Sequence, residues 1–196
     1  MRVLVACEFS GIVRDAFIKK GHDAMSCDLI TSESSGPHYT GNVFDIIYKS
    51  WDMMIAHPPC TYLCVTANRS FINNPDRWKK RLDAILFVYA LLNTDIAKIC
   101  IENPKGVISS YIRKPDQYIQ PYEHGHPDSK MTGLWLKNLP LLKPTRFVTP
   151  EWITPPSGRR MSKTHAKNPS TNNIENAKLR SRTYQGIADA MANQWG

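Results

Sequence analysis

Asp52-Met-Met-Ile-Ala-His-Pro-Pro-Cys-Thr-Tyr-Leu-Cys64 is the stretch on which the reading of this chain turns. Met53 to Ala56 is a short apolar run with strand character. It meets Pro58-Pro59, two residues that fix their own φ and bias the residue before each toward extended backbone. The next side chain, Cys60, is thereby held in one direction at the carboxyl end of a buried strand, where open α/β sheets bind ligands. A thiol there serves as a nucleophile if its surroundings lower its pKa from about 8.5. The same residues also describe a small apolar cysteine beside a turn. The stretch alone does not choose.

Upstream, Arg2–Cys7 reads as a strand by its β-branched and apolar content. Glu8-Phe9-Ser10-Gly11 reads as a tight turn, and Ile12–Lys20 as a helix with Val13, Ala16 and Phe17 on one face. Gly21 stands where a helix-terminating glycine belongs. A second strand, His22–Cys27, runs to Asp28. Strand, small-residue turn, helix, strand and acid make a βαβ unit suited to an adenosine-containing ligand, because an acid after the second strand can accept from ribose hydroxyls. Only Gly11 of the dinucleotide fingerprint is present, which disfavours a nicotinamide cofactor. Residues 31–41 read as a loop, and Gly41–Asp45 as the end of a third strand.

Downstream, Arg77–Asn93 carries the strongest helical spacing, with Leu82, Ile85, Leu86, Tyr89 and Leu92 expected in the core. Lys98–Ile101 reads as a fifth strand ending in Glu102-Asn103-Pro104. If the strands bearing Cys60 and Glu102 are parallel neighbours, about 4.8 Å apart, both side chains reach one substrate ring. Glu102 could instead serve as an acid at a helix N-terminus. Tyr118–Gln120 and Leu134–Lys137 read as short strands. His124 and His126 read as a loop pair, since no third ligand lies at a telling distance. Pro140–Pro156 reads as an extended connection and Thr183–Gln194 as a closing helix.

The 196 residues suit one α/β domain with a mostly parallel central sheet flanked by helices. No apolar run approaches the 18 residues of a membrane span, and Met1–Cys7 looks like a core strand rather than a signal peptide. Five cysteines, an odd number and partly within strand-like runs, fit a reducing, cytoplasmic setting better than a disulfide framework, and no metal site is expected. The net charge of +8 is uneven. Residues 157–196 hold 7 basic and 2 acidic side chains, every basic one between Arg159 and Arg182. That local excess points to a polyanionic partner, although a solvated loop would have the same composition.

Taken together, these motifs resemble those of the DNA cytosine-5 methyltransferases, in particular short members found in phage and bacterial genomes. Pro58-Pro59-Cys60 is similar to that family's nucleophile motif, and Glu102-Asn103-Pro104 to its Glu-Asn-Val motif. Glu8-Phe9-Ser10-Gly11 resembles the cofactor turn, and Thr183–Ala192 the closing helix. Residues 125–136 can be laid on the family's arginine-bearing strand motif, with Asp128, Lys130 and Thr132 in place of its glutamine and two arginines.

The resemblance implies a Rossmann-like class I methyltransferase fold. It implies S-adenosyl-L-methionine bound by Glu8, Phe9, Ser10, Gly11, Asp28, Leu29, Asp45 and Pro58, and catalysis by Cys60, Glu102 and Lys130. It also implies DNA, either a duplex with a flipped cytosine or a single strand, gripped through Arg159, Arg160, Lys163, Lys167, Arg180 and Arg182. Residues 1–136 would form the catalytic domain, 137–182 a short basic recognition region, and 183–196 a helix packing back. A region so short implies short or relaxed site preference.

The chemistry needs these residue types. Cytosine carbon 5 is a poor nucleophile until a thiolate adds at carbon 6, and an acid at ring nitrogen 3 stabilises the charge that develops. Amino-group methyltransferases need an aromatic residue after Pro-Pro, where this chain has Cys60. A cysteine-dependent enzyme acting on free nucleotides and a DNA-binding module with lapsed catalysis are the other readings.

Overall fold

The computed structural model describes residues 1–154, 158, 160–167 and 174–196, with backbone alone at 66, 67, 165 and 174. Seven strands form one sheet: β1 Arg2–Ala6, β2 Asp23–Asp28, β3 His38–Thr40, β4 Met53–Ala56, β5 Lys98–Pro104, β6 Gln117–Ile119 and β7 Thr132–Lys137, in the order β3-β2-β1-β4-β5-β7-β6. The first five are mutually parallel, whereas β7 is antiparallel to both β5 and β6.

The helices are α1 Ile12–Lys19, α2 Pro75–Leu92, α3 Ile108–Tyr111, α4 Lys163–Lys167, α5 Ile174–Ser181 and α6 Gln185–Trp195. Strand residues of one parity, Val3, Val5, Met53 and Ile55, pack with Val13 and Phe17 of α1 and Ile187 and Met191 of α6. The other parity, Leu4, Ala6, Met54, Ala56, Ile99 and Ile101, packs with Ile85, Val88 and Leu91 of α2. Both sheet faces are therefore covered, which is why β1 and β4 read as unbroken apolar runs rather than alternating ones. A two-stranded ribbon, β8 Trp152–Ile153 with β9 Met161–Ser162, interrupts the proline-rich connection. No described helix is long and apolar enough to cross a membrane.

Two expectations are corrected. The third strand is His38–Thr40; Val43–Asp45 is a 3-10 turn, because the Asn42 side chain accepts from the Phe44 amide at 3.1 Å and caps it. Helix α2 buries Arg81, Ile85, Val88 and Leu91, leaving Leu82, Leu86 and Tyr89 exposed. The buried stripe is turned because Arg81 is drawn inward. Its guanidinium stacks 3.6 Å from the Phe71 ring centroid and its Nε donates to the Tyr62 carbonyl at 2.8 Å.

Candidate active site

The carboxyl ends of β1, β2, β4 and β5 share one edge of the sheet. The connection from β1 leads to β2 and β3 on one side, while β4 and β5 lie on the other, so a crevice opens between the ends of β1 and β4. A cleft of about 360 Å³ occupies it, with Cys7, Asp28, Leu29, Val43, Pro58 and Phe87 among its walls. Burial pushes the Cys7 thiol up to about 12, so that side chain is an inert wall. Burial also raises the Asp28 carboxyl, against amide hydrogen bonds from Ile30 and Leu29.

Cys60 follows directly from β4. Pro59, at φ −54°, leads into the 3-10 turn Cys60–Tyr62, which leaves Cys60 exposed beside the cleft. Three contacts fix this turn to the segment after β5. The Asn103 amide donates to the Pro58 carbonyl at 2.7 Å, and the Val107 N–H donates to the Leu63 carbonyl at 2.8 Å. Gly106 lies so close that a Cβ there would sit 2.2 Å from that same carbonyl oxygen. The Cys60 thiol is lowered to about 7. The hydrogen bond with Cys64 is the main cause, opposed by the protein atoms that crowd water from one side of this exposed residue's sulfur, helped by the Lys130 charge and opposed by that of Glu102.

Parallel pairing of Ala56 with Ile101 brings the next residues, His57 and Glu102, side by side on the same face of the sheet. His57 Nδ1 lies 3.1 Å from Glu102 Oε2. Burial pushes the Glu102 carboxyl up, but the hydrogen bond and charge of His57, the charge of Lys130 and a hydrogen bond from Thr132 together hold it below the ordinary range. Lys130 Nζ donates to the Arg180 carbonyl at 2.9 Å and sits 5.9 Å from the Tyr184 ring centroid. Its charge bears on Cys60 and Glu102 together.

The turn after β1 is arranged differently from a phosphate-binding loop. Glu8 is buried, and its carboxylate accepts from the Val13 and Arg14 amides at 2.7 and 3.2 Å and from Ser10 at 3.3 Å. The first amides of α1 are thus held by the protein's own carboxyl group, which burial pushes above the ordinary range against those hydrogen bonds. Gly11, at φ +74°, packs against Arg14 and Ser34, while Phe9 is half-buried and its carbonyl accepts from Glu33. Asp28, Leu29 and Pro58 line the cleft. Asp45 accepts from the Tyr39 hydroxyl at 3.1 Å, and its charge bears on Cys27, another cleft residue.

The basic side chains are variously engaged. Arg160 stacks 4.3 Å from the Trp152 ring centroid, Lys163 pairs with Glu151, Arg182 pairs with Glu33 at 2.9 Å, and Lys167 is exposed. The Arg180 carbonyl is the acceptor for Lys130, and Arg159 lies outside the described residues. Asp128 is buried and accepts from Thr164 and Tyr184. His126 Nε2 accepts from the Gly186 amide at 2.9 Å, and His124 packs beside Thr145, so both histidines serve the seating of nearby segments.

Two contributors are given no role by the sequence motifs, His57 and Cys64, while Asn103 is a motif residue whose amide proves to anchor the Pro58 carbonyl. Strand parity is the signal that could reveal the first, since His57 and Glu102 each stand one residue past a paired position. No family model matches this chain, and neither does any curated protein. Among solved structures, it is similar to the Entamoeba histolytica methyltransferase EhMeth, with a TM-score of 0.49 and 14% sequence identity over 79% of this chain. The match spans 58% of that protein's chain.

Proposed function

We propose that the protein is an S-adenosyl-L-methionine-dependent methyltransferase acting on carbon 5 of cytosine in DNA through a covalent bond to Cys60. The observation that carries this reading is the parallel β4–β5 pairing, from whose carboxyl ends the chain continues to Cys60, a thiol lowered to about 7, and to Glu102, whose charge bears on that thiol. The Rossmann-like class I fold belongs to the same reading: strand order 3-2-1-4-5-7-6 with an antiparallel seventh strand supports it.

The cleft suits an adenosine-bearing group without phosphate. Asp28 offers a carboxylate for ribose hydroxyls, and Leu29, Val43, Pro58 and Phe87 offer apolar walls for a purine. Asp45 stands for a contact to the adenine edge. Glu8 already fills the anion site at the start of α1, which counts against a phosphate there and is compatible with a sulfonium. Bound in this cleft, S-adenosyl-L-methionine supplies an electrophilic methyl group.

In this mechanism Cys60, as thiolate, adds to carbon 6 of a cytosine displaced from the stack or already single-stranded. Electron density moves to ring nitrogen 3, where Glu102 stabilises it, and carbon 5 becomes nucleophilic. Lys130 favours the thiolate before addition and offers a cation to the base carbonyl or a flanking phosphate. Arg160, Lys167 and Arg180, with Arg159, stand for a salt-dependent hold on the backbone. Lys163 and Arg182, which pair with Glu151 and Glu33, add to this basic surface.

The test is incubation with DNA and S-adenosyl-L-methionine, followed by nucleoside analysis of the digest. The native protein is expected to leave 5-methylcytosine and Cys60→Ser none. A product methylated on an exocyclic amino group would overturn the reading. Bisulfite mapping is expected to show a short or relaxed site; a long, strict one would contradict the role given to residues 137–182.

A further inference from the structure

Addition of a thiolate at carbon 6 needs a proton at ring nitrogen 3, and Glu102 does not hold one of its own near neutral pH. Its carboxyl lies below the ordinary range, chiefly because His57 outweighs the effect of burial. The proton must then come from a neighbour. His57 is that neighbour by geometry: its Nδ1 is 3.1 Å from Glu102 Oε2, and the side chains are only 9% and 16% exposed. Nε2 of the same ring is buried and has no hydrogen-bond partner among the described residues, so Nδ1 is the ring's only polar anchor there.

The charges around the ring favour a stored proton. Glu8 approaches from the turn after β1, Asp28 from the end of β2 and Glu102 from β5, and the opposing cation is Lys130, before β7. Burial pushes the imidazole down, yet Glu102 and Glu8 outweigh burial and Lys130, and the net shift is upward.

Resting on the reading above, we infer that His57 is a positioning residue whose Nδ1 holds the proton that Glu102 delivers to ring nitrogen 3. The step balances. The Cys60 sulfur–carbon 6 bond forms as the carbon 5–carbon 6 double bond shifts toward nitrogen 3. Oε2 of Glu102 takes the proton from His57 Nδ1, and the carboxyl group so formed gives that one proton to nitrogen 3. Glu102 ends as it began, and His57 becomes neutral. At the end of the cycle the carbon 5 proton passes to water, the carbon 5–carbon 6 double bond re-forms as the Cys60 thiolate leaves, and the nitrogen 3 proton returns through Glu102 to His57. The transfers to and from nitrogen 3 consume nothing outside the chain and the base.

Two measurements on the full chain test this. The first is the pH dependence of covalent adduct formation on 5-fluorocytosine DNA with S-adenosyl-L-methionine present. The native rate should rise as Cys60 ionises and fall at higher pH as His57 loses its proton. His57→Asn keeps an amide donor toward Glu102 but cannot release a proton. Its rate should fall by roughly 100-fold and lose the alkaline limb, with DNA affinity unchanged. A His57→Asn variant that keeps the native rate and both limbs overturns the inference while leaving the cytosine reading intact.

The second needs no turnover: nitrogen-15 NMR of the His57 ring. It should stay protonated above the ordinary histidine midpoint in the native protein and titrate lower in Glu102→Gln. A ring that titrates at or below the ordinary value, unmoved by Glu102→Gln, overturns the pairing. No adduct with any DNA, alongside coupled NMR titrations, would refute the cytosine reading and the delivery role with it, while the two-residue pair would stand.

Discussion

Replacing Cys64 with alanine should raise the pH at which Cys60 becomes reactive. The two thiols lie one turn apart, the Cys64 amide donating to the Cys60 carbonyl at 2.9 Å, and they share a hydrogen bond that makes the first ionisation easier. With a midpoint of about 7, half of Cys60 is thiolate at pH 7, against roughly 1% for a thiol at the ordinary value of 9.0. That is about a fifty-fold gain in thiolate. A less basic thiolate is also a poorer nucleophile, and a Brønsted slope of about 0.45 removes roughly eight-fold of the gain. The net expectation is a disulfide probe reacting about six-fold faster at pH 7 than with an ordinary thiol.

The assay is the rate of disulfide-probe labelling against pH. Burial pushes Cys7 to about 12 and Cys27 to about 11, and raises Cys100 well above its ordinary value, so they stay silent near neutral pH. Cys64→Ala should return the midpoint toward the ordinary 9.0, and Cys64→Ser, which keeps a donor, should fall between. A native midpoint of about 8.5 or higher, or one indifferent to Cys64→Ala, would refute the reasoning.

Three further outcomes follow from the geometry. Gly106→Ala must displace the Leu63 carbonyl, so thermal or denaturant unfolding should show a loss of about 1–3 kcal/mol, with slower Cys60 labelling as the turn shifts. Asp128→Asn should cost about 1–3 kcal/mol at neutral pH. Burial raises that carboxyl, but hydrogen bonds led by Thr164 and Tyr184 hold it below the ordinary range, so its stabilisation is present above about pH 3.9 and lost as pH falls through the folded value. Unfolding curves of native and variant should therefore converge in acid. Asp28→Asn should weaken S-adenosyl-L-methionine binding by roughly ten-fold in calorimetry while leaving the Cys60 midpoint in place.

The parallel half of the sheet was legible because both its faces are covered, so that β1 and β4 announce themselves as continuous apolar runs. Met53–Ala56 needed no adjustment. The strand β3 was not legible: His38-Tyr-Thr is polar and edge-placed, while the more apolar Val43-Phe-Asp45 is claimed by the Asn42 cap. On α2, apolar residues lie on two sides, and hydropathy ranks Arg81 as a surface residue. The Phe71 ring, the Tyr62 carbonyl and the Asn68 side chain, all brought by the preceding loop, make its burial favourable. Cys60 and Glu102 can serve one ring only if their strands are parallel neighbours, a condition on strand order that β4 and β5 meet. His57 stayed hidden because a histidine before two prolines reads as part of a turn. Its meaning arises from the strand beside it, forty-five residues further on.

The most direct measurement is the intact mass of the protein after incubation with DNA carrying 5-fluorocytosine and S-adenosyl-L-methionine. Carbon 5 then has no proton to lose, so a methylated nucleotide should remain bonded to the native chain through Cys60. The same mixture with Cys60→Ser should show only the free protein. An unmodified native mass on every DNA tried, single-stranded and duplex, would contradict the account.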